Sequence, residues 1–225
     1  MEQLIQIGPC VTVVALTPPP GADAAAADAC AVEALVQVFE QIARDLGWQP
    51  GSAIRDCRDV AEHLAVMDGG TVAGGMQVVH GEDCPALPYR SVWPDVKVAE
   101  PAATAHITIL ALRPEYRGRA GLFWPLCVEL WRRCRTRRVQ TILLEATPPT
   151  LRLYRRLGWP LEIIGGLRAH WGEDCYLCRM DVGHVADALA AKARRSASYR
   201  RLVEQAHRDA APGADPVLRD GLTMH

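Results

Sequence analysis

His106 opens the stretch of chain that carries the most chemistry. It begins an apolar run, His106-Ile-Thr-Ile-Leu-Ala-Leu112, which leads through Arg113-Pro-Glu-Tyr116 into Arg117-Gly-Arg-Ala-Gly121 and then into an apolar, arginine-rich segment. A histidine titrates near neutral pH without special perturbation, so His106 is a candidate proton acceptor; the alternative is a hydrogen-bonded core histidine of an apolar strand. The turn after the run carries little side chain and opens into a helix. That aims unpaired N–H groups and the positive end of the helix dipole at one point, which suits a phosphate. An ordinary strand-to-helix turn would need the same glycines. Further on, Leu151-Arg-Leu-Tyr-Arg-Arg-Leu-Gly-Trp159 places Tyr154 on a short amphipathic helix ended by Gly158.

These residues need a scaffold, and the hydrophobic periodicity supplies one. Val11 to Leu16 reads as a first strand, stopped by Pro18-Pro-Pro20 and a small-residue linker up to Ala29. Val32, Leu35, Val36, Phe39 and Ile42 keep helical spacing, predicting a helix from about Ala31 to Leu46 that ends at Gly47. Val60 to Met67 and Thr71 to Val79 form two strands around Asp68-Gly-Gly70, a hairpin signal, and Gly74-Gly75 implies a bulge or a close backbone approach. Residues 80–104 are proline-rich and irregular. A central strand at 106–112, a helix at 121–138, a strand at 141–145, a helix at 149–157 and closing strands near 161–166 and 174–181 follow. Strands alternating with helices after an antiparallel start predict an α/β (α+β) mixed sheet flanked by helices. Residues 1–182 are read as the domain and 183–225 as an extension. That extension holds a charged helix, about His184 to Arg208, which packs on the sheet edge or mediates oligomer assembly, and a flexible tail.

Composition removes several classes. The chain has 225 residues, a formal net charge of -1 and 49% hydrophobic residues, so no global field points to nucleic acid. No stretch approaches the ~20 apolar residues of a membrane span. Met1 to Thr17 has no basic region followed by an apolar one, and eight cysteines in a chain with its own core read as reduced thiols, so a cytoplasmic location is expected. Cys175-Tyr-Leu-Cys178 lies in a strand-like alternation without a second ligand pair, so no metal is expected.

The glycine turn and the late Leu-Tyr-Arg-Arg-Leu-Gly-Trp element, in this order and at this separation, resemble the GNAT acyltransferase superfamily. The resemblance implies that Leu110, Ala111 and Leu112 of the central strand, with Arg117, Gly118, Arg119, Ala120, Gly121 and Leu122, bind an acyl thioester, either acyl-CoA or an acyl-phosphopantetheine. It also implies that Tyr154 sits near the thioester sulfur. Within the superfamily the first hundred residues are similar to the autoinducer synthases (acyl-homoserine lactone synthases) and the N-acyl amino acid synthases. Phe39, Trp48, Asp56-Cys-Arg-Asp59, Gly74-Gly75 and Trp93-Pro94-Asp95 stand in the order of that group's motifs. This implies substrate-binding roles for Phe39, Trp48, Asp56, Asp59, Gln77 and Trp93. The chain departs from the group in carrying Gln77 in place of an arginine, and His106-Ile-Thr-Ile109 in place of Glu-x-x-Arg. A homoserine lactone product is therefore less favoured, and an amino acid or another small amine becomes an equally good acceptor.

The activity so implied is N-acylation of a small-molecule amine, with His106 as base and Tyr154 as acid. Aminolysis of a thioester needs such a pair and donors for the oxyanion. Eleven arginines and three glutamates lie between Arg113 and Arg156; that surface suits coenzyme A phosphates or an acidic acyl carrier protein, or is simply a solvated helix face. Two rival readings are an acetyl-CoA-dependent acetyltransferase of a small amine or peptide and a non-catalytic acyl-CoA sensor.

Overall fold

Why a histidine should sit in the middle of an apolar run becomes clear from the sheet around it. A computed structural model describes residues 2–6, 11–16, 22–117 and 120–208. Among them, eight strands form one sheet: β1 (Glu2–Gln6), β2 (Val11–Leu16), β3 (Ala61–Asp68), β4 (Thr71–His80), β5 (Thr104–Leu112), β6 (Thr141–Ala146), β7 (Glu162–His170) and β8 (Glu173–Asp181). Their order is β1-β2-β3-β4-β5-β6-β8-β7, and all neighbours are antiparallel except β5 and β6. Both faces of β5 are covered, so its side chains need not alternate between apolar and polar.

Helices cover the two faces. On one lie α3 (Ala120–Thr136), α5 (Val182–Arg195) and α6 (Ala197–Arg208), whose Leu126, Trp131, Leu189 and Val203 share a core with Val66, Val78 and Ile107 of the sheet. On the other lie α1 (Ala22–Leu46), which buries Leu35, Phe39 and Ile42 against Leu16, Ala65 and Ile109, and the 81–103 segment, whose Leu87, Tyr89 and Trp93 pack on Val79, Leu143 and Leu177. The short α2 (Ala53–Asp56) and α4 (Pro148–Arg156) complete the chain. No helix among the described residues is long and apolar enough to cross a membrane.

The predicted hairpin is present, with Asp68 paired to Thr71. Gly74 and Gly75 are there because strands crowd them. A Cβ on Gly74, whose φ is 141°, would run into the Ala111 carbonyl, and one on Gly75 into the Leu64 carbonyl. Three expectations need correction. Helix α1 starts at Ala22, inside the segment read as a linker, because a run of alanines is the strongest intrinsic helix former. Strand β1 lies before the first predicted strand. The expected single C-terminal helix is two, broken at Ser196, whose backbone is extended at φ −148° and ψ 119°. These helices lie on α3 and in the main core, on a face of the sheet and not at its edge. The tail beyond residue 208 lies outside the described residues.

Strands β5 and β6 begin as partners and then part. They pair from Thr104↔Thr141 to Ile107↔Leu144 only, although β5 runs on to Leu112. On the other side of β5 the register with β4 jumps from Val78↔Ile107 to Gln77↔Ile109, which leaves Thr108 as the bulged residue. The backbone N–H and C=O groups of β5 beyond Ile107 that face β6 therefore have no ladder partner, and a wedge opens in the middle of the sheet.

Candidate active site

The parallel register opposes His106 to Leu143, so Glu145, two residues on, projects from the same face. His106 Nε2 and Glu145 Oε1 are 2.8 Å apart, with the side chains 1% and 9% exposed. Burial by itself would raise the Glu145 carboxyl; the charge of His106 and its hydrogen bond outweigh that and hold the group below the ordinary carboxylate value. The His106 ring sits edge-on to Tyr89 at 6.0 Å. Its Nδ1 is buried and has no partner among the described residues.

Two cavities converge on this pair. One, of about 170 Å³, occupies the wedge between β5 and β6 and is lined by Leu110, Leu144, Thr147, Tyr154 and Trp48. The other, of about 330 Å³, lies on the α2 side and is lined by Pro50, Cys57, Pro88, Ser91 and His106. Thr108, Glu145, His170 and Trp171 line both. A carboxylate–imidazole pair thus stands where two openings meet.

Tyr154 reaches the wedge from α4. That helix starts immediately after β6, with Thr147 as its N-cap, whose Oγ1 accepts from Thr150 N at 3.3 Å, and with Pro148 in its first turn. The Tyr154 ring stacks on Phe123 at 6.1 Å and 16°. Burial, with a lesser contribution from Cys127, pushes its phenol well above the ordinary value, so the proton stays on at neutral pH. Beyond Tyr154 lies a smaller, apolar cavity of about 30 Å³ between sheet and α3, lined by Met76, Phe123, Leu130 and Trp131, which shares Ile107, Leu110, Leu144 and Tyr154 with the wedge.

His106, Tyr154, Leu110 and Trp48 are brought together here, and Gln77 lies directly behind them. Gln77 is fully buried and accepts from Thr108 Oγ1 at 2.8 Å. Other predicted site residues are elsewhere. Phe39 is 0% exposed in the α1 core and Trp93 is 0% exposed, with its Nε1 donating to Gly166 O at 2.7 Å. Both fill core and line neither cavity. Asp56 is exposed and accepts from Ser52 at 2.6 Å, and the Asp59 side chain is 93% exposed beside Arg58. Ala111 packs against α1, Leu112 and Leu122 join the main core, and Arg117 Nε donates to Leu112 O at 2.9 Å. Helix α3 begins at Ala120 and continues through Gly121; Gly118 and Arg119 lie outside the described residues.

Four residues of the site were missed from sequence: Thr108, Glu145, His170 and Trp171. His170 is half-buried, stacked on Trp171 at 4.8 Å and 24°. Burial lowers its pKa, with Glu145 acting in the opposite direction, so the ring is neutral near pH 7. Trp171 and Gly172 both have positive φ, 53° and 93°, and form the tight turn between β7 and β8 that carries the indole over the cavities. A bulky residue in that conformation is uncommon. The Trp-Gly dipeptide between two apolar runs was the available signal.

No family model matches the chain, and no curated protein sequence matches it. Solved structures do. FeeM, an N-acyl amino acid synthase from uncultured soil microbes, superposes with a TM-score of 0.61 at 13% identity, over 79% of this chain and 94% of that one. A protein from Lactobacillus plantarum assigned as an N-acetyltransferase gives 0.53 at 12% identity, over 77% and 99%. A GNAT-family protein from Desulfovibrio desulfuricans gives 0.51 at 16% identity, over 76% and 99%. The chain has the fold of the GNAT superfamily.

Proposed function

We propose that this protein is an N-acyltransferase that moves an acyl group from a thioester to the amine of a small molecule. The observation that carries the reading is the His106–Glu145 pair where the two cavities meet, with Tyr154 across one of them. The thioester arm enters the wedge, and the amine comes from the α2 side. The neutral amine attacks the carbonyl carbon and forms the C–N bond, and its proton passes to the Glu145–His106 pair. The oxyanion takes hydrogen bonds from β5 N–H groups that lack a β6 partner. Collapse breaks the C–S bond. Tyr154 gives its phenolic proton to the leaving thiolate and is reprotonated from the pair, so the products are one amide and one free thiol.

Several features support the finer parts of this reading. The apolar lining behind Tyr154 suits the hydrocarbon part of an acyl group. Exposed Arg152, Arg155 and Arg156 on α4, next to the wedge, would meet the phosphates of coenzyme A or an acidic carrier protein. A neutral Gln77 and a histidine–glutamate pair suit an amino acid or simple amine acceptor better than a sulfonium substrate. The free thiols of the seven described cysteines are consistent with action in the cytoplasm.

The reading is tested by mass spectrometry of organic extracts from cells expressing the wild type or Tyr154→Phe. An N-acylated amine present only with wild type identifies acyl chain and acceptor together. Identical extracts, with purified protein still binding acyl-CoA, would replace this reading with that of a sensor.

A further inference from the structure

Thr108 is the bulged residue of β5 and lines both cavities, and its hydroxyl is held from behind by a buried chain of polar groups. Gln77 Nε2 donates to the Ile54 carbonyl at 3.1 Å, and that contact decides which way the amide faces, because a carbonyl can only accept. The same nitrogen lies 3.2 Å from His63 Nε2, which accepts from it. His63 is 0% exposed, and burial lowers its pKa to about 4, so the ring is neutral and has a lone pair to offer. With its nitrogen so engaged, Gln77 presents Oε1 to Thr108, whose Oγ1 donates to it at 2.8 Å. The Gln77 carbonyl, 3.4 Å from the same hydroxyl, is also an acceptor.

The hydroxyl hydrogen of Thr108 is therefore committed inward, and only its lone pairs face the cavities. That excludes one role and selects another. An oxyanion or a departing thiolate needs a donor, which Thr108 cannot be. The N–H of an attacking amine needs an acceptor. A neutral primary amine has two N–H groups and one lone pair. With one N–H on Thr108 and the other on Glu145, the lone pair is left to point at the thioester carbon.

We propose that Gln77 positions Thr108 Oγ1 as an acceptor for one N–H of the primary amine that is acylated. A secondary amine has a single N–H and satisfies only one of the two groups. The inference rests on the acyltransfer reading above and names the residues that position its acceptor.

The test uses the full-length protein with octanoyl-CoA and each of the nineteen common amino acids that are primary amines, followed by the N-methyl derivative of the one acylated fastest. Wild type is expected to favour the primary amine by about tenfold or more in kcat/KM, the worth of a hydrogen bond to an engaged group. Thr108→Val should lower kcat/KM for the primary amine by about tenfold, leave the octanoyl-CoA KM unchanged and reduce the discrimination to about threefold. Thr108→Ser should restore both. Gln77→Met, which frees the hydroxyl to rotate, should fall between. Melting temperatures of all three variants identify any that fail to fold, and Thr108→Ser keeps the test decisive. A Thr108→Val enzyme that still prefers the primary amine by the wild-type factor would overturn the inference and leave the acyltransfer reading standing. A wild type that acylates none of these amines would overturn both.

Discussion

Among the described residues two buried histidine–glutamate pairs have nearly equal length, and only one of them lines the site cavities. His106–Glu145 spans 2.8 Å and His80–Glu62 spans 2.9 Å. The second pair links β4 to β3 beneath α3, and two arginines of that helix close over it: Arg133 Nη1 is 3.1 Å from Glu62 Oε1, and Arg137 Nε is 3.9 Å from Oε2. Burial works to raise the Glu62 carboxyl, and His80 with the two arginines brings it below its ordinary value. Neither site cavity reaches this pair. Around Glu145 the partners are His106 and the more distant His170, and two cavities open on to it. A buried carboxylate closed in by cations is a fastener; the same group left facing a cavity can take and return a proton.

Substitutions should separate the pairs. Glu145→Gln removes the proposed proton acceptor and is expected to lower kcat by about 10²–10⁴ in a protein that still folds, at a smaller cost in stability than at the other pair, measured by thiol release and calorimetry. Glu62→Gln should do the reverse, costing about 3 kcal/mol in chemical denaturation, because Arg133 and Arg137 lose a buried counter-charge, with kcat of the folded fraction unchanged. Tyr154→Phe keeps the stacked ring and removes the proposed acid, so kcat should drop about 10²-fold without a matching loss of stability.

Acid should reach a third group before either glutamate. His63 has a folded-state pKa of about 4, below its unfolded value, so the unfolded chain binds more protons between those two values. Stability is therefore full above about pH 6.5 and declines as pH falls toward 4, by about 2 kcal/mol between pH 6.5 and 5. Half-buried His170 adds in the same direction. The carboxylates Glu62 and Glu145, depressed in the folded state, contribute stability above the ordinary carboxylate range and lose it only at lower pH. Denaturant titrations at pH 7 and pH 5 should show the slope in wild type and a flatter one in His63→Gln. The smallest effect is expected at the surface: Asp59→Asn should change stability by less than about 0.5 kcal/mol and turnover not at all.

The sequence made the scaffold legible where a local signal existed. Asp68-Gly69-Gly70 announced the β3–β4 turn, the apolar run at 106–112 announced β5, and Gly158 ended α4. His106 and Tyr154 could be picked out because each stands inside such an element. Glu145 could not, because its link to His106 spans 39 residues and depends on the register of two parallel strands, which periodicity does not encode. Thr108 stands out only once the bulge against β4 is known. Phe39 and Trp93 could not be placed from sequence, because a large aromatic reads the same whether it fills a core, as both do here, or lines a pocket. The packing of the C-terminal helices was not legible because few of their residues are large and apolar, although Val185, Leu189 and Val203 join the main core.

The most direct test of the central claim is the rate at which purified wild type and Glu145→Gln convert octanoyl-CoA and an amine mixture into amide, following amide by mass spectrometry and free thiol together. The account predicts one thiol per amide in the wild type and a rate at least about 10²-fold lower in a Glu145→Gln protein that remains folded. An unchanged rate in the variant, or thiol release without amide in the wild type, would contradict it.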